Sequence, residues 1–194
     1  MNKEKLSLSV TCEHEVISIT KGQPSRIYLL LHGYLLDGNY IIETLKEVIP
    51  ENSLIIAPNG PFLIPVKKKD IFYPKYAWYF FDPTTKNYYI NFNPAADYLK
   101  SILKKYNSAN LPVTVIGYSQ GGYLAPKVAE AISEVDSVVG IACTFRNDRF
   151  EIRDNVKYHQ INSVGDLVVD LEGSLEEFEK LKERGNNGDF HKIE

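Results

Sequence analysis

Cysteine, methionine, tryptophan and histidine are scarce in this chain of 194 residues, which holds 2, 1, 1 and 4 of them. Two cysteines make no disulfide framework of the kind that staples small secreted domains, and Cys12 and Cys143 both fall in apolar stretches that read as buried strands carrying reduced thiols. Apolar runs long enough to span a bilayer are missing, and the opening Met1-Asn2-Lys3-Glu4-Lys5 is too polar to lead into a signal segment. A cytoplasmic protein without a membrane span is expected. Positive charge is not in excess either: 22 Lys and Arg against 25 Asp and Glu leave a net charge of −3, which argues against a nucleic-acid partner. The one basic run, Lys67-Lys68-Lys69, reads as a solvated loop tip. Repeats, low-complexity segments and internal boundaries are absent, so residues 1–194 read as one domain of ordinary globular composition, 44% hydrophobic and 24% charged. No metal or other cofactor is implied, and nothing in the sequence speaks to oligomeric state.

What is present is an alternation of two periodicities. Residues 26 to 31, 54 to 57, 113 to 116, 138 to 142 and 157 to 161 are short apolar runs bounded by turn residues, as in strands buried on both faces. Between them, residues 39 to 49, 94 to 107, 121 to 134 and 174 to 184 carry a helical period. Strand and helix alternating in this way imply right-handed crossovers, hence a mostly parallel central sheet with helices on both faces, a three-layer α/β sandwich. Residues 6 to 12 and 16 to 20 suggest an antiparallel hairpin turning at Glu13-His14-Glu15. Asn93-Pro94 reads as a helix cap followed by proline, Ser174 to Glu177 as a capping box, and Gly185 as a helix stop. Residues 61 to 93 break the alternation with Pro61, Pro65, Pro74 and Pro83 and a dense aromatic set. We expect an excursion over the active-site face whose aromatics either line a pocket or seal the loop beneath them.

The segment Gly117-Tyr118-Ser119-Gln120-Gly121 lies where a buried strand gives way to a helix. A serine in that position sits on a sharp turn, and the residues two before and two after it must lack a Cβ because strand and helix nearly collide there. Ser119 is the expected nucleophile. The Gln120 N–H, at the helix start, would face a developing oxyanion, and the loop after Leu29-Leu30-Leu31-His32-Gly33 would supply a second donor, the Tyr34 N–H. His32 is expected to brace that loop rather than transfer protons, and His14 to lie on the surface. A serine hydroxyl needs a histidine to take its proton and an acid to orient the ring, in the order Ser, acid, His for this kind of fold. His159 falls inside an expected strand, which leaves His191 as the base. Asp166, after the turn at Gly165, is the expected acid with Asp170 in reserve. The stretch from Arg184 leaves little room for a strand ahead of His191.

With these residues assembled, the chain resembles the phospholipase/carboxylesterase family of α/β-hydrolases, which includes acyl-protein thioesterases. The matching segments are Leu31-His32-Gly33, Ala57-Pro58, the run from Ala77 to Asp82, Gly117 to Gly122, and Asp166-Leu167-Val168-Val169. The resemblance implies an α/β-hydrolase fold, the triad Ser119, Asp166 and His191, and an oxyanion hole of the Tyr34 and Gln120 amides. Trp78, Phe80 and Leu35 are expected at the substrate. The chain departs from the family pattern at Cys143-Thr144, where a Ser-Gly pair is usual, and at Asn162-Ser163, where His-Gly is usual. The expected activity is cleavage of small-molecule carboxylic esters or thioesters with apolar acyl groups of small to medium size, through an acyl-enzyme. Two alternatives use the same residues: an amide or peptide hydrolase, and a hydrolase-like binding protein lacking a productive histidine.

Overall fold

The computed structural model describes residues 14–18, 22–80 and 91–194. Six parallel strands, β2 (Arg26–Leu31), β3 (Ser53–Pro58), β6 (Val113–Tyr118), β7 (Val135–Ile141), β8 (Lys157–Ser163) and β9 (Phe190–Ile193), form one sheet that β1 (His14–Ser18) extends antiparallel to β3. The strand order is β1-β3-β2-β6-β7-β8-β9. Between them run α1 (Gly38–Leu45), α2 (Asn93–Tyr106), α3 (Gln120–Ala131) and α4 (Leu171–Glu183). Each apolar run named above is a strand, because a side chain buried on either face of a covered sheet has no polar alternative. The expected hairpin turn is corrected: His14 and Glu15 pair with Pro58 and Ala57 inside β1, and residues 6 to 12 lie outside the described part.

The order reverses between β2 and β6. The chain leaves β2 toward β3 through α1, and leaves β6 toward β7 through α3, so the two connections diverge. Such a switch point opens a crevice at the carboxyl ends of the two strands, the usual place for a ligand in this architecture. At the opposite end of the same strands, Arg26 holds them together, its guanidinium donating to Asp136 at 2.6 and 2.8 Å and to Thr114 at 2.9 Å.

The two helix layers are unequal. Ile27, Leu29 and Leu31 of β2 face the larger core with Leu99 of α2, Val128 of α3 and Phe178 of α4. Leu30 faces the smaller one, filled by Ile41 and Ile42 of α1. Asp37 caps α1, its Oδ1 accepting the Tyr40 N–H at 2.9 Å. The cap of α4 is Asp170, whose Oδ2 accepts the Gly173 N–H at 3.2 Å; the expected capping serine, Ser174, is inside the helix, buried with its hydroxyl 2.6 Å from that of Thr144. Asn93 likewise is the first residue of α2 and not its cap, while Gly185, at φ +100°, ends α4 as expected.

The irregular stretch contains structure of its own. β4 (Phe62–Lys68) and β5 (Ile71–Ala77) make a two-stranded hairpin, and residues 81–90 lie outside the described part. Leu36 bridges to Tyr76, so the hairpin is joined to the loop that follows β2.

Candidate active site

Ser119 has φ +49° and ψ −114°, a conformation that costs a non-glycine residue on the order of 1–3 kcal/mol. Two glycines make the turn sterically feasible. A Cβ on Gly117 would stand 2.3 Å from the Gly121 carbonyl oxygen, and one on Gly121 would stand 2.3 Å from that of Leu31 and 2.7 Å from that of His32. Strand, helix and the loop after β2 therefore meet at backbone contact around the serine. The Ser119 N–H donates to the Ile141 carbonyl at 2.8 Å and its own carbonyl accepts from the Tyr123 N–H at 3.1 Å, so the strained residue is held from both sides. Its hydroxyl is half-buried and makes no hydrogen bond among the described residues.

The two amides expected to form the oxyanion hole belong to the start of α3 and to the loop after β2, the elements that meet around the serine. Gln120 opens α3, where the first N–H groups have no helical partner and carry the positive end of the helix dipole. Tyr34 is pinned by its neighbours. The Leu35 N–H donates to the Tyr76 carbonyl at 3.0 Å, with Leu35 at φ +58°, and the Leu36 N–H donates to the Gly33 carbonyl at 3.2 Å. Neither the Tyr34 nor the Gln120 N–H has an acceptor among the described residues.

A buried polar network holds these parts in register. The Gln120 side chain accepts the Trp78 N–H and donates to the Tyr79 carbonyl, both at 2.8 Å. Trp78 Nε1–H donates to the His32 carbonyl at 2.8 Å. His32, fully buried, accepts the Gly60 N–H on Nε2 at 2.9 Å, which places its proton on Nδ1 for donation to the Gly33 carbonyl at 2.7 Å. Burial pushes this ring's pKa down to about 4, against the raising effect of the Gly33 hydrogen bond, so it is a neutral brace. The reading of His32 as a brace agrees with this geometry. The role of the Gln120 side chain was not legible in the sequence; the only signal was a long amide at a position where the elbow needs just a backbone N–H.

The remaining expected residues are placed as follows. Trp78 is closed off from solvent, its ring 4.9 Å from that of His32, and it supports the oxyanion loop from beneath instead of facing the crevice. Phe80 is 51% exposed and packs on Phe62 at 4.7 Å, and Leu35 is half-buried. Asp166 follows the carboxyl end of β8, and its Oδ1 accepts the Val168 and Val169 N–H groups at 2.8 and 3.0 Å. His191 is not brought to Ser119. It lies inside β9, level with Ile161, Ile141 and Tyr118 across three strand spacings, roughly 14 Å of sheet, and its ligand atoms stand beside those of His159 and Asp189. The physical reason is register: residues 190–193 complete the parallel ladder, so the strand contains His191 instead of preceding it. Its carboxyl end, Ile193 level with Ser163, is the part that reaches the edge on which Ser119 stands.

The two departures from the family pattern meet each other. Asn162 is buried, donating to the Cys143 carbonyl at 2.9 Å and accepting the Cys143 N–H at 3.2 Å, and Gln160 donates to the same carbonyl at 2.9 Å. Burial raises the Cys143 thiol well above the usual range, which fits an inert core thiol. Cys12 lies outside the described residues.

Comparison with solved structures gives the same scaffold. Acyl-protein thioesterase 2 of Zea mays superposes with a TM-score of 0.75 at 19% identity, over 93% of this chain and 89% of that one. A carboxylesterase of Mesorhizobium loti does so with a TM-score of 0.71 at 15% identity, over 97% and 88%. For esterase PE8 the TM-score is 0.69 at 19% identity, over 94% and 89%. No curated protein sequence matches. At these identities the likeness establishes the α/β-hydrolase fold. Residues 23–158, which include β2, the excursion, the serine turn and α3, match the Serine hydrolase (FSH1) family, and it is to this family that the chain belongs.

Proposed function

We propose that the protein cleaves carboxylic esters or thioesters of small to medium apolar acyl groups through an acyl-enzyme on Ser119. The observation that carries this reading is the strained serine turn, with the Tyr34 and Gln120 amides on the elements packed around it and without an acceptor among the described residues. In the first step Ser119 Oγ bonds to the acyl carbonyl carbon and passes its proton to solvent water, from which the departing alcohol or thiol recovers one, and the carbonyl oxygen takes up negative charge between the two N–H groups. Collapse of that intermediate breaks the C–O or C–S bond and releases the alcohol or thiol. Water then repeats the sequence on the ester formed with Ser119 and returns the carboxylic acid. Asp166 stands at the same sheet edge; His191, in its strand, is not enlisted.

An apolar acyl group is supported by what surrounds the crevice. Loops at the carboxyl edge present Tyr34, Phe80, Leu167 and Val168, the last two 100% and 91% exposed. Next to the serine turn, Tyr40, Ile41, Thr44, Leu45, Tyr118 and Ile141 line a mostly apolar groove of about 220 Å³, smaller than the few hundred Å³ typical of sites for drug-sized ligands. That size suits a short chain.

The test is covalent labelling by a fluorophosphonate together with hydrolysis of p-nitrophenyl esters of increasing length. Labelling of the wild type and its loss in Ser119→Ala support the reading, as does a rate that rises from acetate to butyrate or hexanoate. A rate falling steadily from acetate to octanoate refutes the apolar preference. An unlabelled wild type refutes hydrolysis and leaves a scaffold that binds without turnover.

A further inference from the structure

Away from the serine turn, the described residues bring one set of metal-binding side chains together. His159 of β8, Asp189 just ahead of β9 and His191 within β9 each offer a ligand atom, and these atoms all lie within 4.8 Å of one another. The sheet itself produces the grouping. Residues two apart on a strand share a face, which aligns Asp189 with His191, and the parallel register sets His159 on the neighbouring strand at the level of Asp189. We propose that this sheet edge binds a divalent first-row transition ion such as zinc, held by one nitrogen of each histidine and a carboxylate oxygen of Asp189.

Two features make the grouping more than a chance meeting of surface side chains. The first is the tautomer. The Asp189 N–H donates to His159 Nδ1 at 3.2 Å, so the Nδ1 lone pair is turned toward Asp189, whose Oδ2 is 3.6 Å away. A metal on Nδ1 would take that lone pair over from the Asp189 N–H, while the proton of the neutral ring stays on Nε2. The second is the rigidity of the backbone that presents Asp189. Asn186 is buried and clasps β8, accepting the Tyr158 N–H at 3.0 Å and donating to the Tyr158 carbonyl at 2.9 Å, while it accepts the Gly188 N–H at 3.0 Å. A Cβ on Gly188 would stand 1.9 Å from the Tyr158 carbonyl oxygen, so the segment leading to Asp189 is pressed flat against β8. The backbone leading to Asp189 is thus fixed against β8, whereas the side chains of Asp189 and His191 are exposed.

Bond lengths of about 2.0–2.1 Å around a tetrahedral ion place ligand atoms about 3.3 Å apart. Closing the present cluster to that size takes rotation of the two exposed side chains only. Two imidazoles and one carboxylate favour zinc, nickel or copper over magnesium or calcium, and leave a coordination position for water. Lys157 and Lys182 lie close enough to act on His159 and oppose a cation, so the expected affinity is micromolar and not that of a closed structural site.

The site stands apart from the serine chemistry, and so does its test. Untagged protein is titrated with zinc chloride by calorimetry in a non-chelating buffer, alongside His191→Gln, Asp189→Asn and His14→Gln, with circular dichroism to check folding. One ion per chain at micromolar affinity, weakened at least tenfold in His191→Gln and in Asp189→Asn but unchanged in His14→Gln, supports the proposal. Absence of binding up to millimolar zinc overturns it, as does equal binding by wild type and His191→Gln. Ser119→Ala is expected to bind zinc as the wild type does.

Discussion

The two ends of the carboxyl edge are built to different standards. Around β2 and β6, Ser119, the two amides, His32, Trp78 and Gln120 are locked by backbone contact and buried hydrogen bonds, nearly all made by segments matching the serine hydrolase family. Around β8 and β9, Asp166 is held by a local turn, Leu167 and Val168 stand out in solvent, and His191 is one face of an edge strand. The serine turn and the groups packed around it are preorganised by the fold; the region of Asp166 and His191 is ordered mainly by neighbours in sequence and by sheet register. A perturbation at the first end should therefore spread through the network, and one at the second should stay local.

The largest effect is expected at the serine. Ser119→Ala should abolish fluorophosphonate labelling and lower esterase turnover by about 10⁴-fold or more. Ser119→Gly should be equally inactive yet more stable than the wild type by about 1 kcal/mol, because glycine adopts the positive φ without strain; urea unfolding distinguishes the two. If Ser119→Gly is no more stable than Ser119→Ala, the turn is not strained and the contrast between the two ends is weaker than stated.

Gln120→Ala comes next. It removes the acceptor of the buried Trp78 N–H and one donor to the Tyr79 carbonyl, at a cost of about 1–3 kcal/mol, and should reduce turnover by releasing the loop that carries Tyr34. Chemical denaturation and ester kinetics on the same variant check both parts.

His32 gives a dependence on pH. Its pKa falls from the ordinary value of 6.5 to about 4 on burial, so between those values the unfolded chain binds more protons than the folded one and stability rises with pH. The contribution is complete above pH 6.5 and is lost as the pH drops toward 4, by on the order of 3 kcal/mol at 1.36 kcal/mol per pH unit. Urea midpoints at pH 4.5 and 7.5 should differ clearly more in the wild type than in His32→Gln.

The smallest effect belongs to the other end. His191→Ala and Leu167→Ser should each leave stability within about 0.5 kcal/mol, and His191→Ala should leave fluorophosphonate labelling unchanged. Loss of labelling in His191→Ala would show that this end is coupled to the serine after all.

The same contrast governs how much of the molecule was legible in the sequence. Gly117 and Gly121 announce the turn because the steric demand there is local and absolute, and the buried parallel strands announce themselves by continuous apolar runs. The strand that holds His191 is not legible because only Phe190 of β9 is even half-buried, too little signal for a strand, so the choice of His191 as base rests on elimination. Trp78 was expected at the substrate because tryptophan serves pockets and cores alike; only its place between His32 and Gln120 decides for the core. Asp170 and Ser174 are both competent helix caps, and the extra turn that buries Ser174 against Thr144 selected the aspartate. The pairing of Asn162 with Cys143 could not be read at all, since it joins β8 to the loop after β7, elements whose adjacency the chain does not state.

The hairpin of β4 and β5 is fastened at both feet, by Gly60 to His32 before it and by Trp78 and Tyr79 to Gln120 after it, while its tip at Lys67, Lys68 and Lys69 points into solvent. Such an element is a ready handle for engineering. A tip of different length, a fluorophore or a surface-anchoring peptide can be grafted between Val66 and Ile71 without touching the backbone that holds the amides, whereas any change to either foot is transmitted straight to the surroundings of Ser119.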